Sequence, residues 1–419
     1  MANGVSIDDF GASFIHYLPG VIQTLNNTSR ARLLPKGTLK WEGLHLEKKL
    51  HVTRNGAIST PEDGGPIEAA GSQSYVASKV YRKNITGSVK VTDGALNNAK
   101  TTKNAAISIV ESELTGMLET IRVFENYVFT RDGTGVVTFL GSTTSGSTIT
   151  VDDARLLHQF ARSSKNYTIL DTDGSTVHTT FSTARVARAF TTLNEATVTP
   201  TSSVTAGAQA DGDYIVWGTG NNSSYNRWPT GLDALIDDGT GTFQAVDVTT
   251  YNQWTSPVLS NSGTARPLTP SLLRQLMAAV KQESGEDIDS EMTLLGCVWE
   301  GVNFEEMFEG EVRIMESTKV GGIEISRFQS ALGTLQLVMD PHAPYGKLFL
   351  CDFAEITRAT QAELDWRGKS EGNPASIFTV QHNGLQNVAT CLETFEFFIE
   401  RRNRCGKIED LTESRATAF

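Results

Sequence analysis

Hydrophobic and polar residues begin to alternate with period two at Trp41, where Leu44, Leu46, Leu50 and Val52 fall on one face of an extended strand. Thr60-Pro61-Glu62-Asp63-Gly64-Gly65-Pro66 follows, a turn-rich tip through which no regular element can continue. Alternation resumes with Tyr81, Ile85, Val89 and Val91. The two runs predict a two-stranded ribbon of roughly 16 residues a side, about 50 Å long at ~3.3 Å per residue. Such a ribbon is only marginally stable by itself in water, and nothing nearby in the sequence offers it a face.

The period then changes to that of a helix. Ile107, Val110, Leu114, Met117, Leu118, Ile121 and Phe124 form one stripe, with Glu111, Glu113, Glu119 and Glu125 largely elsewhere. A helix from about Asn98 to Asn126 would measure roughly 40 Å, and Arg131-Asp132-Gly133-Thr134-Gly135 would stop it. Asp152–Arg162 reads as a short capped helix and Tyr167–Leu170 as a strand. Residues 171–212 are rich in Ser, Thr and Ala and read as surface strands and loops. Asp213–Trp217 is a strand. Thr269-Pro270 opens a helix that buries Leu273, Leu276, Met277 and Val280 and ends at Gly285. Met292–Val298 is a buried-type strand, and a short helix passes through Asn303 and Phe304. Thr334–Met339 is expected to meet Lys347–Cys351 across a turn, and a final strand runs from Thr394 to Ile399.

Composition narrows the field. The 419 residues are 39% hydrophobic and 20% charged, as in an ordered globular protein of two or three substructures. The formal net charge of −12 gives no long-range attraction to nucleic acid. No apolar run is long enough to span a bilayer, and the first residues do not read as a signal peptide. Cys297, Cys351, Cys391 and Cys405 include no Cys-x-x-Cys pair, which argues against a zinc knuckle or a secreted disulfide framework.

Motifs that could carry chemistry fall short. Gly218-Thr219-Gly220-Asn221-Asn222-Ser223 opens like a dinucleotide fingerprint, but Ser223 replaces the third glycine and no helix pattern follows. Asp171-Thr172-Asp173-Gly174 opens like a calcium loop without the later ligands, so it reads as a turn. The seven histidines are scattered, and His45 and His51 face away from the leucines of their strand. Walker, His-Glu-x-x-His and Gly-x-Ser-x-Gly motifs do not occur. The carboxylates between Glu283 and Glu311 read as a solvated face. Lys79, Arg82, Lys83 and Lys90 form a basic cluster on the second ribbon strand, either a solvated edge or a contact for a neighbouring subunit. The sequence therefore offers no candidate catalytic, cofactor-binding or metal-ligating residues.

The order of parts resembles the Hong Kong 97 type of phage shell subunit: an arm, a long ribbon, a long helix, a mixed centre and a return to strands. Trp228-Pro229-Thr230-Gly231-Leu232-Asp233-Ala234-Leu235-Ile236, then Phe243-Gln244-Ala245-Val246-Asp247 and Tyr251-Asn252-Gln253-Trp254, are similar to a stretch in that family. Ala245 stands at its usual Gly and Val248 at its common Arg. The tail from Thr334 through Asp340-Pro341 to Glu400-Arg401-Arg402-Asn403 also resembles the family's closing strands.

The resemblance implies an α+β fold with an N-terminal arm (1–40), an E-loop hairpin (41–97) and a spine helix of the peripheral domain (98–134). An axial domain (135–320) and closing strands (321–419) would complete it. It implies a tailed-bacteriophage major capsid protein that assembles with itself into hexamers and pentamers of an icosahedral shell. The shell would enclose double-stranded DNA without sequence-specific binding. A separate scaffolding protein, a portal and a decoration protein are the implied partners, with assembly in the host bacterial cytoplasm. The E-loop would lie on a neighbouring subunit, with Arg54, Glu62, Asp63, Lys79, Arg82 and Lys83 as its contact residues. Some relatives form Lys–Asn cross-links, for which Lys79 or Lys83 could offer the amine, but no motif here matches residue by residue. Two other readings remain open at this point: an encapsulin-like nanocompartment shell, and a soluble enzyme with a β-rich insertion.

Overall fold

A computed structural model describes residues 37–92, 103–141, 148–153, 166–188, 196–200, 209–219, 223–286, 288, 292–308, 318–320, 323–367, 378–380 and 386–412. The expected arm, apart from its last four residues, and most of the helix expected over Asp152–Arg162 lie outside them. Strand β1 (Gly37–Lys40) leads to the ribbon, built from β2 (His45–Thr53) and β3 (Ser74–Tyr81). These pair antiparallel from His45↔Tyr81 to Thr53↔Ser74. The paired ribbon is shorter than expected, about 30 Å at ~3.3 Å per residue. A change of phase at Arg82 is the reason. The inward residues of β3 are even-numbered (Val76, Ser78, Val80), whereas those of β4 (Lys83–Thr92) are odd-numbered (Ile85, Gly87, Val89, Val91). The chain therefore turns out of the ribbon, and β4 joins a different sheet.

Helix α1 (Lys103–Phe129) crosses β4 and buries Leu114, Leu118, Ile121, Phe124 and Val128 along one stripe. Its 27 residues reach about 40 Å at ~1.5 Å each. Contact with β4 is close. A Cβ on Gly87 would stand 2.8 Å from Met117 Sδ, 2.9 Å from Ile121 Cδ1 and 3.0 Å from Cys391 Sγ, so glycine sets the approach. Glu125, expected off the stripe, is buried.

The chain then builds a barrel. Strands β5 (Val136–Phe139), β6 (Ile149–Val151), β7 (Asn166–Leu170), β8 (Val177–Arg188), β9 (Ala196–Pro200) and β10 (Tyr214–Trp217) follow the order β5-β10-β7-β8-β9-β6. An antiparallel bridge from Leu140 to Val151 closes it, with Gly141 N–H donating to Thr150 O (3.0 Å) and Asp152 N–H to Phe139 O (3.1 Å). Val137, Ile149, Val151, Tyr167, Ile169, Phe181, Val198 and Ile215 fill the interior. The Ser/Thr-rich segment expected at the surface thus supplies two barrel walls, β8 and β9. Thr and Val stiffen extended backbone, and Phe181 and Val198 need only one apolar side per wall.

A seven-stranded sheet forms the centre. After the one-turn helix α2 (Leu232–Leu235), a small hairpin joins β11 (Thr242–Phe243) to β12 (Val246–Asp247). Next come β13 (Val258–Leu259), α3 (Pro270–Ser284), β14 (Thr293–Gly296), α4 (Val298–Phe308), β15 (Thr318–Val320), β16 (Ile323–Ser330), β17 (Gly333–Met339) and β18 (Leu348–Cys351). Helix α3 has the expected ends: Thr269 Oγ1 accepts from Leu272 N–H at 3.2 Å, Pro270 opens the first turn, and Gly285 closes it at φ +69. β17 and β18 do not pair with each other as expected. β14 lies between them, parallel to β17 and antiparallel to β18. Its four residues are all buried because its two faces serve two cores. Leu294 packs with α3 and α4, while Leu295 packs with the core under α1.

The chain finally returns through β19 (Ile356–Trp366), β20 (Phe378–Val380), β21 (Gln386–Ile399) and β22 (Gly406–Ile408). β19, β20 and β21 complete the sheet of β1 and β4, with β21 central between β19 on one side and β4 on the other. β22 inserts between β13 and β18 in the central sheet.

Candidate assembly surfaces

The ribbon is anchored at its root and bare at its tip. Leu50 and Val76 pack beside Val246, Val248 and Trp254, so the body supplies a seat that the sequence did not reveal. Lys79 N–H donates to Gln244 O at 2.8 Å, and Ser78 Oγ donates to the same carbonyl at 3.3 Å. Gln244 and Ala245 hold that carbonyl in place by adopting φ +45 and +64. Lys48 reaches Glu400 and lies over the Phe398 ring at 5.5 Å. Beyond the seat, Ile58 and Ile67 are each 83% exposed.

The six expected contact residues separate into two groups. Arg54, Glu62 and Asp63 are exposed on the distal ribbon. Lys79 sits on β3, 4.0 Å from Glu47. Arg82 reaches Gln361 Oε1 at 3.4 Å, and Lys83 donates to Asn226 O at 2.6 Å. Lys83 and Lys90 stand on β4, so the basic cluster is not on one ribbon strand as expected. Along the ribbon's other face His45 meets Tyr81 and His51 meets Tyr75, with ring centroids 5.7 and 5.1 Å apart.

Beneath the seat lies a charged hub that sequence reading missed. Arg402 is 2% exposed, and its guanidinium donates to the carbonyls of Leu235 (2.8 Å), Ala234 (3.2 Å), Asp237 (2.8 Å) and Trp254 (3.3 Å). Its carbon lies 4.4 Å from the Phe243 ring centre and 5.4 Å from that of Trp254. Burial pushes its pKa down to about 10, against the pull of Asp237 and Asp238. Lys407, also buried, pairs with Asp237 (2.8 Å), Glu409 (3.0 Å) and Asp233 (3.2 Å). Burial opposes its charge, but these carboxylates raise its pKa above the usual lysine range. Burial likewise opposes the charge of Asp233, yet Lys347 and Lys407 hold its carboxyl below the usual range. The run Arg401-Arg402-Asn403-Arg404 was the available signal: so many cations beside buried strands need partners.

Other candidates resolve into structure. Glu300 is fully buried and accepts from Asn303 Nδ2 at 3.0 Å, and Glu286 pairs with Arg401 and Arg404, so the acidic region is not simply a solvated face. Asp171–Thr176 is the β7–β8 turn, with Gly174 against the Tyr225 ring. The four cysteines are buried and form no disulfide, and burial pushes Cys391 to about 11 and Cys405 to about 12. Among the described residues no group of His, Cys, Asp and Glu could hold a metal ion, and no helix is long and apolar enough to cross a membrane. Glu396 is buried where the segment after the barrel meets β21. It accepts from Thr230 N–H (2.6 Å) and Phe397 N–H (3.0 Å), and burial pushes it up to about 7. A groove of about 780 Å³ runs between β4, α1 and residues 217–229.

A projecting ribbon with a bare tip, a spine helix on an α+β body and strands returning from the C-terminal end define the class: a shell subunit of the Hong Kong 97 fold. The chain belongs to the SU10 major capsid protein family, whose model matches residues 84–368. It is a major capsid protein of a tailed phage, a component of the virion. Among solved structures it is similar to the cyanophage A-1(L) capsid asymmetric unit, with 11% identity over 91% of this chain and 92% of that chain and a TM-score of 0.50. A chain of Mycobacterium phage Bobi is 9% identical over 91% and 90%, at TM-score 0.43. The SrpI encapsulin of Synechococcus elongatus, 9% identical over 94% and 91%, is a distant likeness at 0.44. No curated protein matches.

Proposed function

We propose that this capsid protein closes into an icosahedral shell of hexamers and pentamers around double-stranded DNA, and that the ribbon is the strap between subunits. The observation that carries this reading is the ribbon itself. Its root is held by Gln244 and Trp254, while Ile58 and Ile67 extend past the body into solvent. Isolated exposed apolar residues are common, but two on one projecting hairpin favour a surface that is covered on assembly. Arg54, Glu62 and Asp63 would meet a neighbour directly. Lys79, Arg82 and Lys83 already have partners within their own chain and would present the receiving face. The boundaries 1–40, 41–97, 98–134, 135–320 and 321–419 are the proposed functional parts, with residues 135–217 of the axial part carrying the barrel.

The role is structural rather than enzymatic. Among the described residues the buried hub neutralises its own charges, and burial keeps the thiols of Cys351, Cys391 and Cys405 protonated rather than activated as nucleophiles. The net charge of −12 favours containing DNA over gripping it. A separate scaffolding protein, a portal and a decoration protein would be the partners, with assembly in the bacterial cytoplasm. Negative-stain electron microscopy of the chain alone, and with its scaffold candidate, tests the proposal. Closed shells with hexamers and pentamers support it, and a stable monomer in both preparations refutes it.

A further inference from the structure

Among the described residues, strand β4 is paired along one side. Its ten residues pair with β21 from Lys83↔Phe395 to Thr92↔Gln386 without a shift of register. Among the described residues no strand pairs with its other side. Every second residue of such a strand directs its N–H and C=O outward, which makes a template for another strand. Proteins usually blunt a long edge with a charge, a proline or a bulge. Asn84-Ile85-Thr86-Gly87-Ser88-Val89 contains no charge and no proline, and its ladder is regular.

This edge borders a groove. It forms one wall of the 780 Å³ groove, with Met117, Ile121 and Phe124 of α1 as the floor and Trp217 and Trp228 opposite. The slot therefore offers backbone hydrogen bonds along one side and apolar surface on the others, as strand addition requires.

We propose that the groove receives an extended segment as an additional strand on β4, and that this segment is Ser13–Leu18 of the same chain. Phe14, Ile15, Tyr17 and Leu18 put apolar side chains on both faces of a strand, matching a slot with an apolar floor and far wall. Pro19-Gly20 ends the segment, because proline cannot donate to a ladder. The reach is sufficient. β1 lies at the opposite edge of the same sheet, three strand spacings from β4, or about 14 Å at ~4.8 Å each. Residues 19–36 span up to ~60 Å when extended. The inference rests on the edge, the groove and this reach, and it holds or fails independently of the shell reading.

Hydrogen exchange on the full-length chain tests it, with Ile15→Asp/Tyr17→Asp as the comparison. In the unaltered chain all amides between residues 84 and 89 exchange slowly. In the variant about half of them exchange at least ~10-fold faster, while β21 and α1 are unchanged, because only the outward-facing set loses its partners. Equal exchange in the two proteins, or rapid outward amides in the unaltered chain, overturns the proposal. Mild oxidation of a His16→Cys/Ser88→Cys chain, mixed with an isotope-labelled copy, identifies the donor. The expected product is a disulfide within one chain, and links only between chains, or none at all, overturn the same-chain assignment.

Discussion

At the scale of single residues, the hairpin that seats the ribbon carries an avoidable strain. Ala245 adopts φ +64, a region in which a Cβ crowds the following carbonyl. Ala245→Gly is expected to raise stability by about 0.5–1 kcal/mol in chemical denaturation. A loss of stability would show that the Ala245 methyl is worth more than the strain. The family-like motif identified this position from sequence, but only the backbone angle explains why glycine suits it. Glu396 gives a pH dependence of opposite sign to that of most carboxylates. Its folded pKa of about 7 lies above the ordinary 4.5, so the folded state retains a proton that the unfolded chain releases. Its contribution to stability is intact below about pH 4.5, is lost as the pH rises towards 7, and then stays constant. Glu396→Gln keeps an acceptor for Thr230 N–H and should flatten that window in melts between pH 4 and 8. An unchanged slope would assign the dependence to other groups.

At the scale of elements, α3 was legible because each of its signals is local: a threonine cap, a proline, a period of 3.6 and a glycine. The ribbon was misread because Tyr81 happens to share the odd phase of Ile85, Val89 and Val91 across the break at Arg82. Nothing in local hydrophobicity marks that break. β19 escaped notice for a different reason. Its inward positions include Arg358 and Thr360, and Arg358 pairs with buried Glu393 while lying 4.2 Å from the Phe395 ring centre. A strand that buries polar residues has no period-two signature until its partner is known. The cation-rich run around Arg402 hinted at a hub, but its partners were invisible, since they are carbonyls more than 140 positions away. Arg402→Lys keeps the charge but loses the planar fork, stranding buried carbonyls. It is expected to cost about 3 kcal/mol and to make the ribbon more sensitive to trypsin. Undiminished resistance would show that the seat holds without the hub.

At the scale of the whole molecule, two cores share one wall. The central sheet gives Leu294, Leu337, Leu348 and Leu350 to one and Leu295, Val338, Phe349 and Cys351 to the other. The ribbon tip belongs to neither, so folding and assembly should separate there. Ile58→Asp combined with Ile67→Asp is expected to leave the melting free energy of the monomer within about 0.5 kcal/mol, while removing shells from sedimentation profiles. Shell yield equal to that of the unaltered chain would exclude the tip from the contact. The fold class was readable from sequence through the family resemblance carried by the ribbon, the long helix and the closing strands. Sheet neighbours were not, because they depend on residues tens to hundreds of positions apart.

The barrel leaves α1 at Val136 and returns at Trp217 on strands that pair directly with each other. Its point of departure and its point of return are thus almost one place. Seen as lineage rather than mechanics, the barrel is a pendant whose size the rest of the subunit does not sense. Descendants could lengthen its walls, reshape its hairpins or exchange its surface entirely. Only the root, where Trp217 and Trp228 rest on Phe124, would need to be inherited intact. Diversity among related shells should therefore collect in this segment, and a foreign sequence meant for display would be best carried there.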